Sequence, residues 1–193
     1  MITTSPSEFL RAFAALTPRD GAAATARAAC LVAPAEFTLA EESARDNRYM
    51  DMSLAVDPLK ALAQHGALAQ ALRADVPVIT FPGDPATPDA VFPNNVFATA
   101  PGRLIVGRMR HPVRRREAER HDIRAFFGEV LGYDEIDLSG CAGLVAELTG
   151  SLVIDRARGV GYCGLGERCD MAGAQAMHQA FELQLTYAFE LAE

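Results

Sequence analysis

Apolar positions along the chain switch repeatedly between helical and strand spacing. The segment SPSEFLRAFAAL sets Phe9, Leu10, Phe13 and Leu16 at helical intervals behind a serine suited to an N-cap. After a polar, alanine-rich connection, AACLVA reads as a short buried strand. In VDPLKALAQHGALAQALRADVPVITFPG, Asp57 is a natural cap, Pro58 suits a first helical position, and Leu59, Leu62, Ala69 and Leu72 share a face. VPVITF then reads as the following strand.

Farther along, NVFATA and RLIVGR flank Pro101 and Gly102 at the spacing of a β-hairpin. Pro112 opens a helix expected to run through PVRRREAERHDIRAFFGEVLG, and DEIDL is the next strand. The order then recurs: SLVID and GVGYCGL form a hairpin around RARG, Asp170 caps the helix MAGAQAMHQAFE, and QLTYAFEL is a strand. This is an internal repeat of a ββαβ unit, low in identity and clear in order. Leu185, Tyr187, Phe189 and Leu191 alternate almost to Glu193. A bare last strand presents unpaired N–H and C=O groups, so either a homodimer partner or a further C-terminal segment is expected to cover it.

Composition narrows the class. With 193 residues, 50% hydrophobic and 22% charged, the chain reads as a single domain over residues 1–193, whole or part of a larger one. Residues 1–27 read as an N-terminal helical extension. A net charge of −7 argues against a general nucleic-acid binder, which needs a basic face. The absence of a long apolar run argues against a membrane span or secretory signal, making the cytoplasm the expected location. Cys30, Cys141, Cys163 and Cys169 form no zinc-type pairing, so reduced thiols and no cofactor are expected.

Candidate chemistry concentrates where strands begin or end. Asn94 and Asn95 follow Pro93 just before a strand; their amides suit either a polar ligand or plain turn chemistry. Arg108 sits at a strand exit. Arg114, Arg115 and Arg116 crowd a helix start and read as a solvated face paired with glutamates. Only Lys60 among the 18 basic residues is a lysine, so one arginine by itself carries little information. Glu147 precedes the second hairpin much as Asn94 and Asn95 precede the first, suiting either a carboxylate that orients a histidine or a turn acid. Arg168 lies between a strand end and the cap Asp170. Cys169, at that helix start, is the one thiol with a reason for a lowered pKa.

In that order, PDAVFPNNVFAT, VGRMRHPVRRREAER, ELTGSLVIDR and GLGERCD resemble the guanidino-group modifying enzymes: the arginine deiminase, dimethylarginine dimethylaminohydrolase and amidinotransferase superfamily, nearest its bacterial amidinotransferase-like branch. The likeness runs from about CLVAPAEF onward. It implies an α/β fold built from ββαβ repeats of a pseudo-five-fold, pentein-like propeller, incomplete over this length. It also implies a small guanidino or ureido amino acid as ligand, and no metal. By matching motif, Asp89 and Asn94 contact the polar groups of the substrate, and Arg108 and Arg168 hold its α-carboxylate. Glu147 orients the catalytic histidine. Asn95 stands where many relatives keep an aspartate that pairs with the guanidinium, and an asparagine there resembles the dihydrolases. The family's histidine motif and late nucleophilic cysteine have no counterpart in these residues, so this chain by itself is expected to be inactive. The competing expectation is a non-catalytic binding or assembly module pairing through its C-terminal strand.

Overall fold

The structure, a computed structural model, describes residues 1–17, 25–39, 44, 51–53 and 55–191. Its chain divides into two compact units: Met1–Thr25 with Asn94–Arg110 and Phe127–Glu193, and Ala26–Pro93 with His111–Phe126.

The first unit holds the strands of both repeats and the helix of the second. Strands β4 (Phe97–Ala100), β5 (Arg103–Val106) and β6 (Asp134–Asp137) form one sheet, antiparallel between β4 and β5 and parallel between β5 and β6. Strands β7 (Leu152–Asp155), β8 (Val160–Leu165) and β9 (Leu185–Glu190) repeat that pattern, with helix α5 (Met171–Ala180) before β9. Both hairpins turn on a glycine in the left-handed region, Gly102 at φ 70° and Gly159 at φ 61°, where a Cβ would be strained. The Asp170 side chain accepts the Gly173 N–H at 2.6 Å and fixes the start of α5, a cap worth about 1 kcal/mol.

Register explains the core. Ile105 lies beside Ala98 and Ile136, and this face shares one buried cluster with Ala174, Met177 and Ala180 of α5 and with Leu152, Cys163 and Ala188 of the second sheet. Helix α5 is therefore packed with its own sheet and with the preceding repeat, as side chains alternating across a pleat require. The N-terminal residues add elements to the same unit. Strand β1 (Ile2–Thr3) pairs parallel with β9, and α1 (Pro6–Ala14), capped by Ser5, buries Phe9 against Val160 and Leu185. Strand β9, expected to present a bare edge, thus has β1 beside Thr186 and Tyr187.

The second unit carries the parallel pair β2 (Ala29–Val32) and β3 (Val78–Phe81), joined through α2 (Pro58–Leu72), whose cap Asp57 accepts the Leu59 and Lys60 amides. The single helix expected from Pro112 is broken. Helix α3 (Pro112–Arg115) passes into a tight turn, Arg116–Glu119, before α4 (His121–Ala125) and a widened turn at Phe126–Val130. Arg120 is extended, at φ −65° and ψ 94°, with its guanidinium on the Pro82 carbonyl at 2.8 Å and on Asp122. Tertiary partners outweigh the run's helix propensity here. Among the described residues, no helix is long and apolar enough to cross a membrane.

Candidate functional site

A three-segment ladder in the first unit brings most of the candidate residues together. Ala146 pairs antiparallel with Arg108 on one side and Cys169 on the other. The Arg108 amide donates to the Ala146 carbonyl at 3.1 Å, and the Ala146 amide returns the bond at 2.9 Å. Side chains flanking this ladder are Arg108, Glu147 and Arg168. Each rung is one residue long and leaves no periodic trace in the sequence.

Glu147 is the centre of the arrangement, only 3% exposed. Its Oε2 accepts the Arg168 Nε–H at 2.8 Å, its Oε1 accepts the Arg110 backbone N–H at 3.1 Å, and its own amide donates to the Arg168 carbonyl at 3.1 Å. A buried carboxylate must be compensated by such donors. Arg168, half-exposed, is therefore held by its inner edge. The Arg110 guanidinium forms an ion pair with Glu167, next to Arg168. Arg110 is the participant that sequence reasoning passed over; its place two residues beyond Arg108 was the available signal.

The next residues shape the space around Arg168. Leu148, fully buried, has φ 23°, a conformation rare for a non-glycine residue and costing on the order of 1–3 kcal/mol. It opens the turn Leu148–Gly150. At Gly150 a Cβ would lie 2.5 Å from Arg168 Nη2 and 2.7 Å from its Cζ, so the guanidinium lies across bare backbone. Thr149 ties this turn to the asparagine pair: Asn94 Nδ2 donates to Thr149 Oγ1 at 2.6 Å, and Thr149 Oγ1 donates to the Asn94 carbonyl at 2.8 Å. Asn94 is exposed and Asn95 half-buried, in the turn Pro93–Asn95. Arg108, half-buried, donates from Nη1 to the Ser139 carbonyl at 2.5 Å. Cationic donors, amides and a buried acid thus share one strand-end region, an arrangement able to grip a carboxylate through charge-assisted bonds.

Asp89 lies in the second unit, buried in the turn Pro88–Val91. Arg114 holds that turn: its Nη2 donates to the Asp89 and Phe92 carbonyls at 3.3 and 3.2 Å, while Nε and Nη2 both bind Glu117 at 2.9 Å. Arg114 is 6% exposed and Glu117 2%, which corrects the expectation of a solvated arginine face at this position; Arg115 and Arg116 are exposed. The Asp89 turn supplies carbonyl acceptors that the sequence pattern does not reveal.

Cys169 does not keep the lowered pKa expected of a helix start. It is fully buried, with Sγ 3.6 Å from Cys163 Sγ, and donates to the Asp170 carbonyl at 3.3 Å. The hydrogen bond with Cys163, reinforced by burial, pushes its thiol far up, so desolvation and a sulfur neighbour outweigh the helix dipole. Burial likewise pushes Cys30, in β2, up to about 11.

Comparison with known proteins decides the family. Residues 33–191 match the family described as N,N dimethylarginine dimethylhydrolase, eukaryotic. The chain belongs to that family. Solved structures carry the same fold. A dimethylarginine dimethylaminohydrolase adduct with S-methyl-L-thiocitrulline aligns with TM-score 0.66 and 24% identity over 85% of this chain and 61% of its own. The Pseudomonas aeruginosa enzyme complexed with citrulline aligns with TM-score 0.65 and 24% identity, over 85% and 60%. The N-terminal domain of ArgZ, a cyanobacterial arginine dihydrolase bound to substrate, gives TM-score 0.68 and 18% identity, over 85% and 58%. The chain therefore spans about 60% of the length of these relatives. No curated protein matches the sequence significantly. The α/β architecture of ββαβ repeats read from the sequence is the fold of this guanidino-modifying superfamily.

Proposed function

We propose that this chain is the substrate-recognising portion of a hydrolase acting on the C–N bonds of a guanidino or ureido amino acid such as arginine, citrulline or a derivative. Arg108 and Arg168 hold the α-carboxylate, Asn94 and Asn95 meet polar groups of the ligand, and Glu147 positions the cationic side chains around it. The observation that carries this reading is the buried Glu147 carboxylate fastened to Arg168 beside Gly150. Such a bond fixes the orientation of a guanidinium, and guanidinium groups suit bidentate recognition of a carboxylate. Family membership supports the ligand class. The proposed role of Asp89 as a contact of the substrate's nitrogen end rests on motif resemblance alone. We further propose that the chain by itself binds without turnover, because the histidine motif and late cysteine of the resembling enzymes have no match here.

Titration of the full chain with L-citrulline and L-arginine, followed by amide NMR, tests the reading. Shifts centred on Arg108, Glu147 and Arg168 that vanish in Arg108→Ala are expected. The absence of such shifts with either ligand overturns the substrate class. Ammonia release from arginine, abolished by Arg108→Ala, overturns the inactivity while keeping the site.

A further inference from the structure

We propose that residues 1–16 are a displaceable cap, folded onto the sheet face that would otherwise receive the helix of a further ββαβ repeat. The inference is independent of what the site binds. It follows from placing the two repeats in register. In the first, Ala100 pairs with Arg103 and Arg103 with Asp134; in the second, Asp155 pairs with Val160 and Val160 with Leu185. Counting along the strands makes Ile105 equivalent to Tyr162, Ile136 to Tyr187 and Ala98 to Val153. One residue past β6, Leu138 matches Phe189.

The first-repeat face made by Ala98, Ile105, Ile136 and Leu138 joins the buried cluster of α5, the helix of the next repeat. At the equivalent face of the second repeat stands α1. Phe9 meets Tyr162 edge-on at 5.6 Å and Tyr187 at 5.1 Å between ring centroids, and Ala12, Phe13 and Leu16 complete the contact. Strand β1 extends the cover sideways, the Thr186 amide donating to the Met1 carbonyl at 2.9 Å. One amphipathic helix with a two-residue strand thus takes the place of a repeat.

The fit is looser than the one it imitates. Met177 and Ala174 of α5 are 0% and 1% exposed, whereas Leu10 of α1 is 65% exposed and Val153 on the covered sheet 68%. A groove of about 490 Å³ remains, lined by Pro6, Phe9, Leu10, Tyr162, Tyr187 and Phe189. Packing of this kind forgoes part of the contact energy of a close-packed interior, so α1 can open without global unfolding. A further repeat and α1 exclude one another at this face, which makes the N-terminal segment its placeholder.

Two variants of the chain test this: Phe9→Asp and deletion of residues 1–17. In Phe9→Asp, hydrogen exchange at the Thr186 amide should rise at least about tenfold, while the Gly164 amide, bonded to the Ser151 carbonyl at 2.9 Å, keeps its protection. The deletion should bind a hydrophobic dye and self-associate in sedimentation velocity, because a large apolar face is uncovered. Unchanged Thr186 protection overturns the cap, and so does uniform loss of protection at both amides, which would make α1 integral to the fold. A monomeric, dye-silent deletion also overturns it. Should the deletion fail to fold, the Phe9→Asp exchange pattern alone decides.

Discussion

Glu147 Oε2 lies 2.8 Å from Arg168 Nε, and the carboxylate is 4% exposed where its partner is 39%. This asymmetry sets roles. The acid is part of the packed framework, and the guanidinium is the part presented outward. Gly150 is what lets it lie there. Gly150→Ala should displace Arg168, the flexible partner in a clash of 2.5 Å, rather than the backbone. The expected outcome is loss of citrulline binding by at least about tenfold, with urea-unfolding stability changed by no more than about 1 kcal/mol. Binding equal to the parent chain would show that Arg168 does not contact the ligand.

Arg114 makes the converse point, that a residue in an arginine-rich run can be structural. Arg114→Ala leaves Glu117, 2% exposed, without its bidentate partner and frees the carbonyls of Asp89 and Phe92. Breaking a buried pair in this way should cost roughly 3–5 kcal/mol in chemical denaturation. Arg115→Ala and Arg116→Ala, at exposed positions, should stay within about 0.5 kcal/mol. Equal losses at all three positions would contradict the burial difference.

The thiols give a chemical check on the core. Cys163 and Cys169 are fully buried, while Cys30 and Cys141 are half-buried. With the Cys169 thiol pushed up and desolvated, iodoacetamide at pH 8 should leave it unmodified in the native chain and label it once the chain is unfolded. Peptide mass spectrometry reads this directly. Native labelling at Cys169 would restore it as a candidate nucleophile.

The sequence disclosed what depends on short-range pattern. Alternating runs placed both hairpins, proline and capping residues placed α1, α2 and α5, and repetition of element order exposed the ββαβ units. Hidden features depend on distant partners. Nothing in PVRRREAERHDIRAFF marks the break at Arg120, because the Pro82 carbonyl that holds it lies 38 positions away. Arg114 could not be told from Arg115 in a run where every basic residue is arginine, since acceptors on the Asp89 turn make the difference. Arg108, Glu147 and Arg168 were each singled out. That a ladder one residue deep gathers them, with Arg110 as the amide donor, is a tertiary fact. So is the seating of α1 on the second sheet: its amphipathic pattern specified a covered face without specifying by what.

His178 ties that N-terminal segment to pH. Its Nε2 lies 3.2 Å from the Met1 ammonium and its Nδ1 2.8 Å from Thr186 Oγ1, while the same ammonium donates to the Gln184 carbonyl at 3.0 Å. Burial, and then the charge of the ammonium, hold the imidazole below its ordinary value. In the unfolded chain the ring protonates at about pH 6.5, at which point the folded ring still resists the proton. Above that pH both states are neutral here, and the contribution to stability is fully present. As pH falls, the unfolded state takes up the proton first and stability is lost, until the folded pKa is passed. Thermal midpoints should therefore fall between pH 7 and pH 5, and His178→Gln should flatten this part of the profile. N-terminal acetylation, by removing the adjacent positive charge, should bring the folded pKa back toward the unfolded one and make the drop smaller. A profile that acetylation leaves unchanged would show that the ammonium has no part in it.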